Sequence, residues 1–349
     1  MWLKKHSLPL LTFTVATGIV GVWTMASLDT GKLHGMEAVA IANGQAGTAL
    51  QSSFDGSVPF RKFAIAATAS LRHSVFGEGF QGVLAGSDGW LFSAEEFEED
   101  LGYLDGGFDE LVAAVHDTLA TRGIGLVVVV VPSKTRILES RLGRIRIPET
   151  VGGRYQALLE ILNGLSVPTV DLVSVFAAYQ GDEELYLRTD SHWSQAGAKQ
   201  AAESTALVVR SIVSDLPTAT VSTTTTGQTM REGDLMSYLP ARGTSLRPIP
   251  PPESMLTLET MVDSGAGLFD TPSIPVAIVG TSYSAEPAFH FEGFLKQALS
   301  ADVINLALEG KGPFKPMDEA LQSTILEDTG VRVVVWEIPE RYVPSRSLR

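Results

Sequence analysis

Leu126-Val127-Val128-Val129-Val130-Val131 is a continuous run of large apolar residues, and five of its six members are valine. A strand with one face in water alternates apolar and polar side chains, whereas a strand covered by helices on both faces is apolar throughout. The run therefore predicts an inner strand of a parallel sheet. Pro132-Ser133-Lys134 follows it at once and marks the end of that strand.

Strand and helix patterns alternate on both sides of this run. Further strands are predicted at Pro168–Leu172, Ile274–Val279, Val303–Leu306 and Val331–Trp336. Helical spacing of apolar residues is found at Phe108–Arg122, Tyr155–Leu162, Ala198–Val213, Phe291–Leu299 and Met317–Leu326. The alternation predicts an α/β fold with a doubly wound, mostly parallel sheet that is flanked by helices.

Three segments depart from this alternation. Gly82–Ala85 and Trp90–Phe92 are short apolar runs on either side of Gly86-Ser87-Asp88-Gly89, a pattern that predicts a β-hairpin. Pro217–Gln228, which is rich in threonine, is predicted to be an exposed loop. Ala241–Glu253 contains four prolines and is predicted to be irregular.

The N-terminal stretch indicates export. Lys4 and Lys5 precede an uncharged run of 21 residues from Leu8 to Leu28, close to the about 20 that a membrane-spanning helix needs. Asp29 follows, and positive charge before the run with acid after it predicts a cytoplasmic N-terminus and an exported remainder. A long cleaved signal peptide is the alternative, and it also implies export.

The expected domain organisation has three parts. Residues 1–28 form a signal-anchor helix, and residues 29–57, which are rich in Gly, Ala and Ser, form a stalk. Residues 58–349 form the α/β domain, which is long enough to bury a large core.

Composition excludes several classes of function. The chain of 349 residues carries 40 acidic and 26 basic side chains, a net charge of -14, which argues against non-specific binding of nucleic acid. It has no cysteine, so disulfides, thiolate metal sites and a cysteine nucleophile are excluded. A nucleophile in this chain is therefore expected to be Ser, Thr or water.

Thr189-Asp190-Ser191-His192-Trp193-Ser194 places a carboxylate two residues before an imidazole. An aspartate that orients a histidine makes a general base. The stretch follows the apolar run Leu185-Tyr186-Leu187, which is predicted to end a strand. The alternative is that Asp190 caps the helix that follows and that His192 is a surface residue.

Gly280-Thr281-Ser282-Tyr283-Ser284 supplies a candidate nucleophile directly after the predicted strand Ile274–Val279. Ligands of an open parallel sheet lie beyond the carboxyl ends of its strands, so Ser282 and His192 are expected at one rim. In that arrangement His192 takes the proton from Ser282, and Asp190 fixes the tautomer of the imidazole.

Several alternatives stay open for the second stretch. An ordinary strand-to-helix turn has the same pattern, His290 is the rival base, and Ser284 is the rival nucleophile. Donors to the oxyanion of a tetrahedral intermediate are expected among the Ser282 N–H group, Asn305, Gly310 and Gly312.

A metal site needs several clustered ligands. Asp190, His192 and Asp234 are the candidates in this sequence. No histidine-rich spacing supports them, so neither a metal nor another cofactor is expected.

Six motifs occur in one order along the chain. They are Gly86-Ser87-Asp88-Gly89-Trp90-Leu91-Phe92, Val131-Pro132-Ser133-Lys134, Thr189-Asp190-Ser191-His192-Trp193 with Gly197, Gly233-Asp234-Leu235, Gly280-Thr281-Ser282-Tyr283-Ser284, and Trp336-Glu337-x-x-Glu340-Arg341-Tyr342. The set resembles the AlgJ/AlgX-type alginate O-acetyltransferases, which have an SGNH-hydrolase-like domain, over about residues 75–345. The expected anchor makes the resemblance closer to the AlgJ branch.

The resemblance implies a role for each residue of the site. Ser282 is the nucleophile, His192 the base and Asp190 its orienting carboxylate. This chain order is permuted relative to ordinary SGNH esterases, in which the serine comes first. The Gly-Asp-Ser of those enzymes is Gly-Thr-Ser here, at residues 280–282.

The resemblance also implies a compartment and partners. The enzyme is expected in the periplasm, held at the inner membrane by residues 8–28. It receives acetyl groups from a membrane-bound O-acyltransferase, works with other alginate-acetylation proteins, and places acetyl groups on mannuronate hydroxyls.

The net charge of -14 bears on this acceptor. A polyuronate is repelled by an acidic surface unless cations line the groove, and Lys134 and Arg136, at a strand end, are the candidates. The chain is therefore expected to hold the polysaccharide weakly and to act as an acetyl relay.

Two other functions fit the same features: a carbohydrate acetylesterase, and a non-catalytic scaffold of a polysaccharide-modification complex.

Overall fold

The computed structural model of the chain describes residues 82–239, 248–263, 265 and 274–348. Within these ranges the strands are β1 (Val83–Ala85), β2 (Leu91–Ser93), β3 (Gly125–Val131), β4 (Thr169–Asp171), β5 (Thr220–Arg231), β6 (Glu253–Asp263), β7 (Val276–Val279), β8 (Val303–Asn305) and β9 (Val333–Pro339). The α-helices are α1 (Phe108–Thr121), α2 (Lys134–Ile137), α3 (Glu149–Gly152), α4 (Arg154–Gly164), α5 (Leu172–Ala177), α6 (Gln195–Ile212), α7 (Ser282–Ala285), α8 (Phe291–Leu299), α9 (Phe314–Gln322) and α10 (Ile325–Asp328).

Five strands form one parallel sheet in the order β4-β3-β9-β7-β8. This confirms the predicted α/β fold and the inner position of the valine run, because β3 pairs with β4 on one side and with β9 on the other. The carboxyl ends of parallel strands meet at one edge. Residues that follow β3, β7 and β9 are therefore brought to the same rim, although they are far apart in the sequence.

The sheet is covered on both faces. Val127, Val129 and Val131 of β3 belong to an apolar cluster with residues of α6 and α8. Val128 and Val130 belong to a second cluster with residues of α1, α4 and α9. Each fully buried side chain of this kind stabilises the fold by about 1.5–3 kcal/mol. Both faces of β3 are buried, and this explains why its sequence does not alternate between apolar and polar residues.

The predicted hairpin is confirmed. β1 and β2 pair in antiparallel register, with Leu84 opposite Phe92. Asp88 and Gly89 make the turn with φ values of 54° and 78°. Positive φ costs glycine little and aspartate less than most residues, which explains why Asp-Gly occurs here.

The predicted loop at Pro217–Gln228 is wrong. β5 starts at Thr220 and pairs with β6 in an antiparallel two-stranded ribbon, in which Thr220 lies opposite Asp263 and Arg231 opposite Glu253. Most of β5 is exposed, so its sequence lacks the apolar side chains that reveal a buried strand. Threonine is β-branched and favours an extended backbone, which was the available signal.

One predicted helix is divided in the structure, and the N-terminal predictions cannot be compared with it. The helix predicted at Met317–Leu326 is divided into α9 and α10. The predicted anchor at residues 8–28, the stalk at 29–57 and the start of the domain at 58 lie outside the described residues. In the part of the chain that the structure describes, no helix combines the length and the apolar character needed to cross a membrane.

Candidate active site

Ser282 is the first residue of α7 and lies just beyond the carboxyl end of β7. The turn before it is fixed by Glu337 of β9, whose carboxylate accepts the backbone N–H of Thr281 at 2.7 Å and its hydroxyl at 3.0 Å. A Cβ atom on Gly280 would lie 2.5 Å from Oε2 of Glu337. Glycine is therefore required at this position, because the carboxylate packs directly against the backbone.

The rival nucleophile Ser284 is engaged elsewhere. Its hydroxyl donates to Oε2 of Glu337 at 3.1 Å, inside the protein. Burial raises the pKa of Glu337 above its ordinary value, although the donors from Thr281 and Ser284 oppose this shift. The hydroxyl of Ser282 is the one that faces a histidine.

Asp190 and His192 lie in a tight loop that is closed by an isolated antiparallel bridge between Tyr186 and Trp193. The sequence predicted that the run Leu185-Tyr186-Leu187 ends a strand. In the structure this run contributes only the isolated bridge and no strand of the parallel sheet. The cap of α6 is Ser194, whose hydroxyl accepts the N–H of Gly197 at 3.2 Å. The helix-cap alternative for Asp190 is thus contradicted.

Ser282, His192 and Asp190 form a chain of hydrogen bonds. Nε2 of His192 lies 2.7 Å from Oγ of Ser282, and Nδ1 lies 2.6 Å from Oδ1 of Asp190. The residue His192 is 8% exposed and Asp190 is 0% exposed. With Nδ1 bonded to a carboxylate, Nε2 is the nitrogen that is available to take a proton from the serine.

The charge on Asp190 is stabilised from both of its oxygens. Burial raises the pKa of this carboxyl, but the hydrogen bond and charge of His192, together with the guanidinium of Arg231, outweigh that effect and hold the pKa well below its usual range. Nε of Arg231 donates to Oδ2 at 3.0 Å. Asp190 is therefore ionised at neutral pH and can stabilise an imidazolium.

Arg231 was missed by the sequence analysis. It is the last residue of β5 and lies three residues beyond the predicted loop Pro217–Gln228. Its guanidinium also lies 3.5 Å from the carboxylate of Glu286 and 4.8 Å from the centre of the Phe289 ring. Arg231 therefore bridges the loop of Asp190 and the segment that follows Ser282.

Aromatic side chains hold the imidazole in place. The ring of Phe289 stacks on His192 with centroids 5.0 Å apart, and the ring of Tyr283 lies at 4.6 Å. Two hydrogen bonds join the halves of the site: Trp193 Nε1 donates to the carbonyl of Tyr283 at 3.1 Å, and the Tyr283 hydroxyl donates to the carbonyl of Ser191 at 2.8 Å. The neighbours of His192 and Ser282 in sequence thus fix the distance between them.

Gly233 and Asp234 support the same loop. Asp234 accepts the N–H of Ser191 at 2.7 Å and its hydroxyl at 2.6 Å. A Cβ atom on Gly233 would lie 2.2 Å from the carbonyl of Thr189, so only glycine allows this close approach. The Gly-Asp pair acts here as a clamp on the backbone.

The metal candidates Asp190, His192 and Asp234 have possible ligand atoms within 4.8 Å of one another. Each of these groups already has hydrogen-bond partners in the protein. The guanidinium of Arg231 also lies against Asp190 and repels a second cation. The donor set fits a hydrogen-bonded network better than a metal centre.

The rival base and the predicted oxyanion donors lie as follows. Nε2 of His290 is 2.8 Å from the hydroxyl of Thr260, and burial lowers the pKa of this histidine. The amide of Asn305 donates to the carbonyl of Ser284 at 2.8 Å. Gly310 and Gly312 have φ values of 67° and 65° in the segment after β8.

The N–H of Ser282 remains the oxyanion donor that the local structure supports. It belongs to the first residue of α7 and so has no acceptor within that helix. It is also part of the residue that carries the candidate nucleophile. The side chain of Asn305, by contrast, donates one of its two N–H groups to the carbonyl of Ser284.

Both predicted acceptor cations already have hydrogen-bond partners within the protein. Lys134 is 0% exposed, which contradicts its predicted contact with a polyuronate. Its ammonium group donates to the carbonyls of Leu91, Arg188 and Asp190. Arg136 forms a two-pronged pair with Glu340 at 2.9 and 2.8 Å, so its charge is already matched.

Comparison with known proteins adds to this geometry. Residues 83–340 match the family described as SGNH hydrolase-like domain, acetyltransferase AlgX. The chain is 35% identical to the protein named "Probable alginate O-acetylase AlgJ" of Pseudomonas aeruginosa, over 95% of this chain and 87% of that protein. It is 25% identical to the alginate biosynthesis protein AlgX of Pseudomonas putida, over 76% of this chain and 58% of that protein.

Solved structures give the same picture. The O-acetyltransferase domain of Pseudomonas putida AlgJ is 35% identical, with a TM-score of 0.64 over 75% of this chain and 92% of that one. AlgX of Pseudomonas aeruginosa has a TM-score of 0.61 at 22% identity, over 80% of this chain and 67% of that one, which shows a shared fold. The AlgJ proteins are thus more similar to this chain than the AlgX proteins named here.

Proposed function

Because this chain belongs to the family of SGNH hydrolase-like domains of the AlgX type, and is most like its AlgJ members among the relatives compared, we propose that it is an alginate O-acetyltransferase. It takes an acetyl group onto Ser282 and passes it towards mannuronate hydroxyls of alginate or a related exopolysaccharide. The observation that carries the proposal is the hydrogen-bonded chain from Ser282 Oγ through His192 to Asp190.

Acetylation of the enzyme is the first step. Oγ of Ser282 attacks the carbonyl carbon of the donor ester while its proton passes to Nε2 of His192. The bond from that carbon to the donor oxygen breaks, and His192 returns the proton to the leaving oxygen. The product is acetyl-Ser282, and the buried charge of Asp190 stabilises the imidazolium formed on the way.

Transfer to the acceptor is the second step. A sugar hydroxyl gives its proton to Nε2 of His192, and its oxygen attacks the acetyl carbonyl. The ester bond to Ser282 breaks, and His192 returns the proton to Oγ. Proton transfer of this kind accelerates a reaction by about 10²–10⁴.

The donor and the compartment belong to the same proposal. We propose that residues 8–28 anchor the chain to the inner membrane and that the catalytic residues act in the periplasm. The acetyl donor is a membrane-bound O-acyltransferase, and other alginate-acetylation proteins take part. The uncharged run of 21 residues behind Lys4 and Lys5 supports the proposed anchor and its orientation.

An acetyl-transfer assay tests the proposal. The full-length chain is incubated with an activated acetyl ester and a mannuronate oligosaccharide, and both products are analysed by mass spectrometry. We expect acetyl on Ser282 and on the oligosaccharide with the wild type and with Ser211→Ala, an exposed-serine control, and neither product with Ser282→Ala. An adduct on Ser284, or full turnover by Ser282→Ala, would contradict the proposal.

The same assay separates transfer from hydrolysis. If acetate release accounts for all ester consumed while the oligosaccharide stays unmodified, the chain is a carbohydrate acetylesterase. A non-catalytic scaffold is indicated by two results together. Neither the wild type nor Ser282→Ala consumes the ester, and cells that carry Ser282→Ala acetylate the polymer as well as wild-type cells do.

A further inference from the structure

Lys134 is a buried cation that takes no part in the proposed acetyl-transfer steps. It is the first residue of α2, directly after β3, and its side chain has no exposure to solvent. Nζ lies 2.6 Å from the carbonyl of Leu91, 3.0 Å from that of Arg188 and 2.9 Å from that of Asp190. Two of these three acceptors belong to the loop that carries the aspartate and histidine of the site.

The environment of the ammonium group suits a positive charge in other ways. Nζ lies 5.2 Å from the centroid of the Trp90 ring and 5.3 Å from that of Phe92, within the range of cation–π attraction. The N–H of Leu91 also donates to the carbonyl of Arg188 at 3.0 Å. Lys134 thus joins the hairpin strand β2 to the loop of Asp190.

The remaining backbone of that loop is held by neutral or acidic groups. Glu253 accepts the N–H groups of Arg188 and Thr189 at 2.8 and 2.9 Å. Tyr283 donates to the carbonyl of Ser191 at 2.8 Å. Lys134 binds the carbonyl of Asp190 itself, so it holds the backbone of the residue whose carboxylate lies against His192.

We propose that Lys134 is a positioning residue for acetyl transfer, whose protonated ammonium group fixes the backbone of Arg188–His192 so that His192 faces Ser282. This inference rests on the proposed function. An ammonium group has three N–H donors and no acceptor, which matches three convergent carbonyls. A neutral amine has two donors and a lone pair, so one of the three carbonyls would face the lone pair and lose its hydrogen bond from Nζ.

Charged groups face Lys134 from several elements. Burial lowers its pKa from 10.5 to about 8, against the opposing effect of four carboxylates: Glu96, in the turn after β2; Glu253, at the start of β6; and Asp190 and Asp234, in the loops of the site. Acetyl transfer is therefore expected to decline as the pH rises through about 8, the alkaline limit of the charged form.

The stability of the fold changes in the opposite direction. Between about 8 and 10.5 the unfolded chain binds a proton at this lysine that the folded chain has released. The contribution of Lys134 to the free energy of unfolding therefore rises with pH in this window. Deprotonation of Lys134 between pH about 8 and 10.5 is therefore expected to lower the activity without lowering the stability of the fold. The two causes of a loss of activity can thus be distinguished.

The test compares a kinetic profile with a direct titration of the full-length chain. The rate of oligosaccharide acetylation is measured from pH 6 to 10 after subtraction of non-enzymatic hydrolysis. The Lys134 side chain is titrated by NMR of protein labelled with ¹³C-lysine, and its signal is assigned in the wild type by its proximity to the rings of Trp90 and Phe92. Lys315→Met, at an exposed lysine, is the control for mutation and labelling.

We expect the alkaline limit of the rate and the titration of Lys134 to coincide within about half a pH unit. Arginine stays charged throughout this range, so in Lys134→Arg we expect the alkaline limit to move up by more than one unit. In Lys134→Met we expect the maximal rate to fall at least tenfold at every pH, with KM for the ester changed less than threefold.

Each outcome decides the question. A Lys134 signal that titrates more than one unit away from the kinetic limit overturns the inference, and this comparison uses the wild type alone, even if neither variant folds. An unchanged alkaline limit in folded Lys134→Arg also overturns it. Absence of acetyl transfer by the wild type at every pH instead refutes the proposed function.

Discussion

Arg231 donates from Nε to Oδ2 of Asp190 across 3.0 Å, while His192 uses Oδ1 of the same carboxylate. The guanidinium lies 4.8 Å from the centre of the Phe289 ring, and that ring stacks on His192. The buried aspartate thus has a cation on one oxygen and the imidazole on the other. Both partners favour its charged form, which is the form that orients a catalytic histidine.

Arg231→Met is expected to lower kcat/KM for acetyl-ester turnover by about 10- to 150-fold. The reason is that a hydrogen bond to a charged group contributes about 1.5–3 kcal/mol. Arg231→Lys keeps the charge and should lose less. Glu286→Gln removes the charge of the second carboxylate near Arg231, leaves the bond to Asp190 in place, and should change kcat/KM by less than about threefold. Equal activity of Arg231→Met and wild type would refute this role.

Asp190→Asn is expected to lower kcat by on the order of 10⁴, as loss of the orienting carboxylate does in serine triads. The amide presents a donor where Nδ1 of His192 needs an acceptor, so the wrong nitrogen carries the proton. Steady-state kinetics with an activated acetyl ester measures the effect, and circular dichroism shows whether the variant is folded. A folded variant within tenfold of wild type would rule out the orienting role.

Gly280→Ala is expected to destabilise the fold by about 1–3 kcal/mol and to reduce acetylation of Ser282, since its Cβ would lie 2.5 Å from Oε2 of Glu337. Gly152→Ala is the matched control, because a Cβ there has no neighbour within 4 Å and the residue lies in α3. Urea denaturation measures both. The prediction fails if the two variants lose the same free energy of unfolding.

Glu337→Gln is expected to change how stability depends on pH. Burial raises the pKa of Glu337 above 4.5, so the folded chain binds more protons than the unfolded chain just above that pH. The free energy of unfolding of the wild type therefore falls as the pH rises through this window, and the variant lacks that component. Denaturation between pH 4 and 8 measures the slopes. Glu319→Gln, at an exposed carboxylate, should keep the wild-type slope.

Deletion of residues 8–28 is expected to release the chain from the inner membrane. The uncharged run is the proposed anchor, and its loss removes the apolar length needed to span a bilayer. Fractionation of cells that carry either form, with a periplasmic leader supplied to the shortened chain, measures the change. If the chain that carries residues 8–28 is instead recovered in the soluble periplasmic fraction in a shortened form, this would support a cleaved signal peptide.

Much of the sheet was predictable from local patterns. The valine run of β3 and strand β7 are apolar throughout, and β8 and β9 are apolar except for Asn305 and Glu337, because helices cover the sheet on both faces. The ribbon of β5 and β6 was not predictable in this way. Both of its faces are largely exposed, and its partner strands are joined by a long connection.

The candidate site was predictable where its residues follow recognisable local signals. Ser282 comes after a buried strand and a glycine, and Asp190 stands two residues before His192. The contacts of Arg231 and Glu337 with the site escaped prediction. Glu337 belongs to one of the six motifs, but no local pattern shows which residues it or Arg231 contacts. Their contacts cross 41 and 56 residues of sequence.

The sequence by itself determined the α/β class and the order of the motifs, because strand burial and turn chemistry are properties of short stretches. It also supplied both halves of the site. Only the tertiary structure decided that Ser282 faces His192 and not His290, and that Lys134 lies beneath the loop and not in an open groove. These outcomes depend on how strands from distant parts of the chain meet at one edge of the sheet, and no short stretch encodes such distances.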